Sequence, residues 1–502
     1  MAPDGFSRLV MAVNGQFPGP TIRAGWGDTL RIHVTNSLQD NGTSIHWHGI
    51  RQVNTNDQDG VSGITECPLA PGDTKTYEFL CTQFGTSWYH SHHSAQYGDG
   101  ILGPMVIDGP ASANYDVDLG PMPIQDWYYR TAYQNALISQ TPGAGPPSGD
   151  NGLINGTMVS QYGGEYHVNT VERNRKYRLR LINTSLDNHF KVHLDNHNFT
   201  VITSDFVPLV PYETDWLFIG IGERYDVIIE TDQPVGNYWF RAEVQDGCGD
   251  NLNNQNIMSI FRYEGAPEED PTSARLDYVQ GCADETQLVP YVERTVPREQ
   301  FEEVARDMNV TITNGVNSAN DTVVMWQIDG SMVNVDWDVP TLQYIMDGNT
   351  SYPDSFNLIE LPDTPWIFWV IHSIPGVNGV TAPHPMHVHG HDFYVLGTGD
   401  GVFSDPSVLK FDNPPRRDVA MLPALGWLVL AFETNNPGAW LMHCHIAWHV
   451  GEGLGVQFVE GTPDDILPAL DVGPEWQRTC DRWNDYWTNS HYPAYVETGS
   501  GI

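Results

Sequence analysis

Leu30-Arg-Ile-His-Val-Thr-Asn-Ser-Leu38 returns as Arg178-Leu-Arg-Leu-Ile-Asn-Thr-Ser-Leu186 and, more loosely, as Trp366-Ile-Phe-Trp-Val-Ile-His-Ser-Ile374. The alternation in these stretches and the turn residues around them read as strands. A short His-bearing strand follows each copy: Ile45-His-Trp-His-Gly49, Phe190-Lys-Val-His-Leu194 and His384-Pro-Met-His-Val-His-Gly390. Further on, each copy has a glycine turn leading into an aromatic strand: Gly85-Thr-Ser-Trp-Tyr-His90, Gly236-Asn-Tyr-Trp-Phe-Arg241 and Gly438-Ala-Trp-Leu-Met-His443. Such self-similarity means one unit used three times. The expected fold is therefore all-β, three copies of an antiparallel β-sandwich, and the 48 Gly and 35 Pro supply the turns. The domains are expected at residues 1–115, 116–265 and 300–485. A linker at 266–299 opens after Gly265-Ala-Pro-Glu-Glu-Asp-Pro271, and a polar tail occupies 486–502. A length of 502 residues, at roughly 150 per domain, agrees with three.

Acidic residues outnumber basic ones 63 to 24, for a formal charge of −39. Phosphate backbones and anionic lipid repel such a chain, so nucleic acid and membrane surfaces are poor partners. No run of 18 or more apolar residues is present to span a membrane. Sequons begin at Asn41, Asn155, Asn183, Asn198, Asn309, Asn320 and Asn349. With six cysteines, they suit a secreted protein whose leader is not part of this sequence. Cys248 with Cys282, and Cys67 with Cys480, are the preferred disulfide pairs, although sequence alone does not fix connectivity.

Ten of the 19 histidines fall in four clusters: His46/His48, His90/His92, His384/His387/His389 and His443/His445/His449. His33, His167, His372 and His491 stand alone and read as ordinary core or surface residues, and His93 and His391 merely adjoin clusters. In a strand, residues i and i+2 share a face about 6.5–7 Å apart. Each His-x-His pair can therefore feed two adjacent metal ions. Eight imidazoles from four such pairs suit copper better than a single zinc, which four ligands fill. In His443-Cys444-His445 the cysteine must face away from its two neighbours. A thiolate with two imidazoles in trigonal array defines a blue-copper site, and the histidines left over for it are His384 and His449.

These four motifs resemble those of the multicopper oxidases, most closely the ascomycete-type fungal laccases, over nearly the whole chain. The resemblance implies three cupredoxin-like Greek-key domains and four copper ions, one blue and three in a trinuclear cluster. It assigns His384, Cys444 and His449 to the blue copper. His46 and His387 go to the isolated copper of the cluster. His48, His90 and His445 take one member of the coupled pair, and His92, His389 and His443 the other. The outer domains thus carry the ligands, while the middle one spaces them and walls the substrate pocket. Leu454, at the axial position, cannot donate to the metal, which raises the potential. By the same resemblance, Asp59 helps deliver protons near the cluster and Asp205 accepts the phenolic proton beside His449. The resemblance also implies that the tail ending Gly499-Ser-Gly-Ile502, which lacks the family's Asp, plugs a channel to the cluster. Members of that family have a first strand before a Pro-Asp-Gly turn like Pro3-Asp-Gly5; it is missing from this sequence, so either the sequence is truncated or the first domain has an open edge.

The implied activity is a laccase-type oxidation of small phenols with O₂ as acceptor, in a monomer. Two neighbouring readings are a phenol-coupling oxidase of pigment biosynthesis and a ferroxidase. The latter calls for several acids around His449 and often a membrane anchor. A copper protein confined to electron transfer needs only the blue site, so the eight-histidine cluster argues against it.

Overall fold

A computed structural model describes all residues except 318–319, 471 and 490–498, so His491 lies outside the described residues. The three repeat copies form the strands Thr29–Thr35, Lys176–Asn183 and Trp366–Ser373. In the second copy, Lys176–Asn183 lies between Arg224–Glu230, antiparallel, and Val117–Trp127, parallel. In the third, Trp366–Ser373 lies between Gly426–Glu433, antiparallel, and Ala305–Val316, parallel. Each of these copies stacks a six-stranded sheet on a five-stranded one. The five-stranded sheets share one order. Val168–Val171, Met258–Tyr263, Asn237–Val244, Phe190–Leu194 and Leu217–Ile219 correspond to Leu358–Glu360, Gly455–Glu460, Gly438–Cys444, His384–Val388 and Val419–Leu422.

The first copy is smaller. Its four-stranded sheet holds Ile22–Gly25, Leu102–Asp108, Gly85–His90 and His46–Trp47. Thr29–Thr35 pairs antiparallel with Thr74–Leu80. The strand alternates exposed and half-buried residues and so keeps one open face.

One apolar cluster joins all three copies. It contains Trp88 and Leu102 from the first, Tyr128 and Leu186 from the second, and Met442, Cys444 and Trp448 from the third. The copies thus meet where the histidine strands end. Cys67–Cys480 and Cys248–Cys282 are disulfide-bonded, and Cys81 is buried and free. The first bridge ties the helix Pro474–Asn489 to the first domain. One sequon is corrected: Asn183 is fully buried and donates to Asn188 O and Ile219 O, so it is closed to glycosylation. Asn198, Asn309, Asn320 and Asn349 are exposed.

Candidate metal centre and adjoining cavity

Strand pairing brings the four motifs together. His46 stands opposite His90, and His387 opposite His443, with Met386 opposite Cys444. Eight imidazoles converge between the first and third domains. The His46 ring stacks on His389 and the His48 ring on His387, each at 4.0 Å between centroids. His389 Nε2 lies 3.3 Å from His443 Nε2, and His445 Nε2 lies 3.2 Å from His48 Nδ1. On the far side of the strand, His384 Nδ1 and His449 Nδ1 are 3.1 Å apart, and Cys444 Sγ is 3.6 Å from each. This is a closed N₂S triangle. Leu454, fully buried, lies alongside, and its carbonyl accepts from Cys444 N.

The outer nitrogens of five of the rings are held by the protein. His46 Nδ1 donates to Asp59 O at 2.8 Å, His387 Nδ1 to Asp418 O at 2.7 Å, His90 Nδ1 to Ser91 O at 3.0 Å and His443 Nδ1 to Cys444 O at 2.8 Å. The Asp59 carboxylate takes His389 Nδ1 at 2.8 Å and stands 3.3 Å from His46 Nδ1. These bonds leave Nε2 of His46, His90 and His387 buried without a hydrogen-bond partner. Buried polar atoms in that condition are costly unless something fills the space between them. Burial pushes His48, His90, His92, His387, His389, His445 and His449 well below the usual histidine range, His384 to about 3 and His443 to about 4. Neutral imidazoles with orienting partners behind them and free lone pairs in front are metal ligands in waiting, so the donor set fits copper. Burial also raises the Cys444 thiol, so a metal must displace its proton on binding.

Sequence reasoning misses the support given by the middle domain. Asp418, whose carbonyl holds His387, also places its carboxylate 3.3 Å from His48 Nε2. Arg224 grips that carboxylate through both terminal nitrogens. Gly222 packs so closely that an added Cβ would stand 3.0 Å from the His48 ring and 3.1 Å from the His445 ring. The middle domain therefore buttresses the cluster as well as spacing the outer two. His391 and His93 are engaged elsewhere, with Glu460 and Asn41 respectively.

A cavity of about 520 Å³ opens beside His449, within the range of small-ligand sites. Its walls include Trp326, Pro383, Ile446 and Trp448, and its acids are Asp187, Glu452 and Asp250. Asp205 is not on it, which corrects the expectation for the phenol pocket. That carboxylate is fully buried, accepts from Arg224 N at 2.9 Å and Asp418 N at 3.1 Å, and pairs with Arg417. Burial alone would raise its pKa, but Arg224 and Arg417 outweigh this and hold it below the carboxylate range. Asp205 is thus part of the Arg224–Asp418 buttress. The wall acid is Asp187, directly after the second repeat copy. Burial, then Asp126 and Asp250, push its carboxyl up to about 8.

At the other end of the cluster, Ile502 is buried and lines a small space with His90, His92, His443 and His445. Its approach is fixed by Ser500 N to Gly451 O at 2.8 Å and Trp337 Nε1 to Gly501 O at 3.0 Å.

Comparison with known proteins adds the following. Three family profiles described as multicopper oxidase match residues 1–112, 119–266 and 308–464. The chain is similar to Laccase-3 of Botryotinia fuckeliana, 60% identical over 88% of this chain and 100% of that one. The laccase of Neurospora crassa is 46% identical over 98% of this chain and 81% of its own. Among solved structures, the laccase from Botrytis aclada superposes with a TM-score of 0.92 at 41% identity, covering 99% of this chain and 92% of that one.

Proposed function

The chain belongs to the multicopper oxidases, and on that premise we propose that it holds four copper ions and acts as a secreted, monomeric laccase. It takes single electrons from phenols and passes them to O₂, which is reduced to water. The observation that carries the reading is Cys444 itself. It closes the N₂S triangle while one peptide bond on either side leads to His443 and His445 of the eight-histidine group.

His384, Cys444 and His449 would hold the blue copper. His46 and His387 would hold the isolated ion of the cluster, with His48, His90 and His445 on one member of the pair and His92, His389 and His443 on the other. Copper in these places supplies one-electron redox chemistry and the reduction of oxygen. The chain does the rest. A phenol enters between Trp448, Ile446 and Pro383 with its hydroxyl towards His449 and Asp187. As the phenol gives up its electron, its acidified proton passes to the Asp187 carboxylate. The Cys444 carbonyl, which accepts from His443 Nδ1, adds a hydrogen-bonded route to the covalent one between the two sites. Asp59 keeps His46 and His389 aimed and is the carboxylate best placed to hand on protons at the cluster. Ile502 covers the approach on the far side and limits water there. Over one cycle four phenols each lose an electron and a proton, and one O₂ takes all four of each to become two waters. Leu454, buried beside Cys444, offers no donor atom, and copper held there would have a higher potential than with a methionine in its place.

Oxygen uptake by copper-loaded protein with para-methoxyphenol, ascorbate and Fe(II) tests this reading. Uptake driven by the phenol supports it. Uptake with Fe(II) alone, or none with any phenol, overturns it.

A further inference from the structure

Glu452 belongs to no step described so far, yet it stands in the cavity. It follows the short helix Ala447–Gly451 and is three residues past His449. Its backbone is pinned on both sides, N–H to Trp448 O and carbonyl to Trp326 N, each at 2.9 Å. The residue is 4% exposed and lines the cavity, while its Oε1 is buried without a hydrogen-bond partner. The Ser139 hydroxyl and the Trp326 indole stand within hydrogen-bonding reach of its carboxyl, which burial holds well above the usual carboxylate range. That hydroxyl already donates to Ala136 O at 2.9 Å. An unsatisfied buried acceptor is expensive, and a donor brought in by a ligand offsets that cost. Asp187 comes from the middle domain and Glu452 from the third, so the two carboxyls belong to different walls of one cavity. The residues lining it include no lysine or arginine. A carboxylated substrate therefore finds no cation there.

We propose that Glu452 is a second substrate anchor, which discriminates among uncharged phenols by accepting from a second hydrogen-bond donor. That donor is a hydroxyl or an amine placed away from the reacting hydroxyl. The aromatic ring lies between the apolar walls, one hydroxyl meets His449 and Asp187, and the second donor meets Glu452. Methyl ethers, which cannot donate at that position, and carboxylated phenols, which bring an unpaired charge, bind less well. The inference rests on the laccase reading and names a residue that discriminates among its phenols.

Hydroquinone and para-methoxyphenol differ at the second oxygen by one methyl group, so the pair isolates the contact. In copper-loaded Glu452→Leu, KM for hydroquinone should rise about tenfold, the scale of one buried hydrogen bond. Its kcat should stay within about twofold, and KM for para-methoxyphenol should not move. Glu452→Gln, which can still accept and donate, should keep most of the hydroquinone affinity. Wild-type protein should prefer the methyl ester of syringate to syringate itself. An unchanged blue band in each variant separates substrate binding from damage to the metal site. If the leucine variant does not fold, glutamine against alanine provides the same contrast. Equal KM changes for both phenols, no change for either, or loss of Fe(II) oxidation alone would overturn the proposal. Wild-type protein inert towards every phenol would instead sink the laccase reading beneath it.

Discussion

The second and third domains are built on one plan and used differently. Their five-stranded sheets have the same strand order, each with a parallel edge strand. In the second, Phe190, Val192 and Leu194 face Phe240, Ala242 and Val244, and the interior is continuous hydrocarbon. In the third, the matching strands carry His384, Met386 and His387 against His443 and Cys444. A β-sandwich tolerates buried donors where a neighbouring domain supplies their partners, and Asp59 does this for His389 across 330 residues. The second domain keeps its own interior apolar and lends Arg224, Gly222 and Asp187 to its neighbours. One fold thus yields a metal centre or a buttress according to the side chains on two strands.

The comparison can be broken most sharply at Cys444. Cys444→Ser should abolish the blue absorbance and lower phenol turnover by more than about 100-fold, since even supporting residues of metal sites cost 10–100-fold. Colour surviving that change would dismiss the assignment. Asp59→Asn should fall within that 10–100-fold range in copper affinity or turnover, with the blue band intact because the carboxylate touches only the eight-histidine group. In the second domain, Phe240→Ala should leave the visible spectrum unchanged and lower stability by about 3–5 kcal/mol, as measured by denaturant unfolding. Bleaching of the blue band in folded Phe240→Ala would mean that the second domain shapes the metal geometry directly.

The smallest effect concerns pH. The Asp187 carboxyl is raised to about 8 in the folded protein, against about 4 for an unfolded aspartate. Between these values the folded state holds the extra proton, so this residue's contribution to stability is fully present below about pH 4 and lost as pH rises towards 8. Asp187→Asn should flatten that slope in thermal unfolding measured across the interval. The same titration should make phenol oxidation by the parent protein increase towards pH 8, and the variant should lose this increase. Oxidation of a donor that releases no proton should show neither effect. An identical pH profile in parent and variant would remove Asp187 from proton handling.

The convergence of the clustered histidines is legible in the sequence because strand geometry makes His-x-His spacing a statement about faces. Cys444 is legible for the same reason, and the two disulfides join the expected cysteines. The second-domain contributions are not, because their partners lie far along the chain. Asp205 ends a strand and resembles a pocket acid, but Arg224 and Arg417 draw it into the buttress. Asp187 reaches the cavity because the Asp126 carboxylate accepts from the backbone N–H groups of Leu186, Asp187 and Asn188, bending the chain just after the repeat copy. The one hint was adjacency: Asp187 follows Leu186 directly, where the histidine-rich copies also turn. Glu452 and Asp418 show themselves only once three domains close around them.

The central claim is that the N₂S triangle and the eight-histidine group act as one unit through Cys444. Its most direct test is the number of phenol molecules oxidised per oxygen consumed by fully copper-loaded protein. The account predicts four to one with no peroxide released. A ratio of two to one with peroxide accumulating would contradict it.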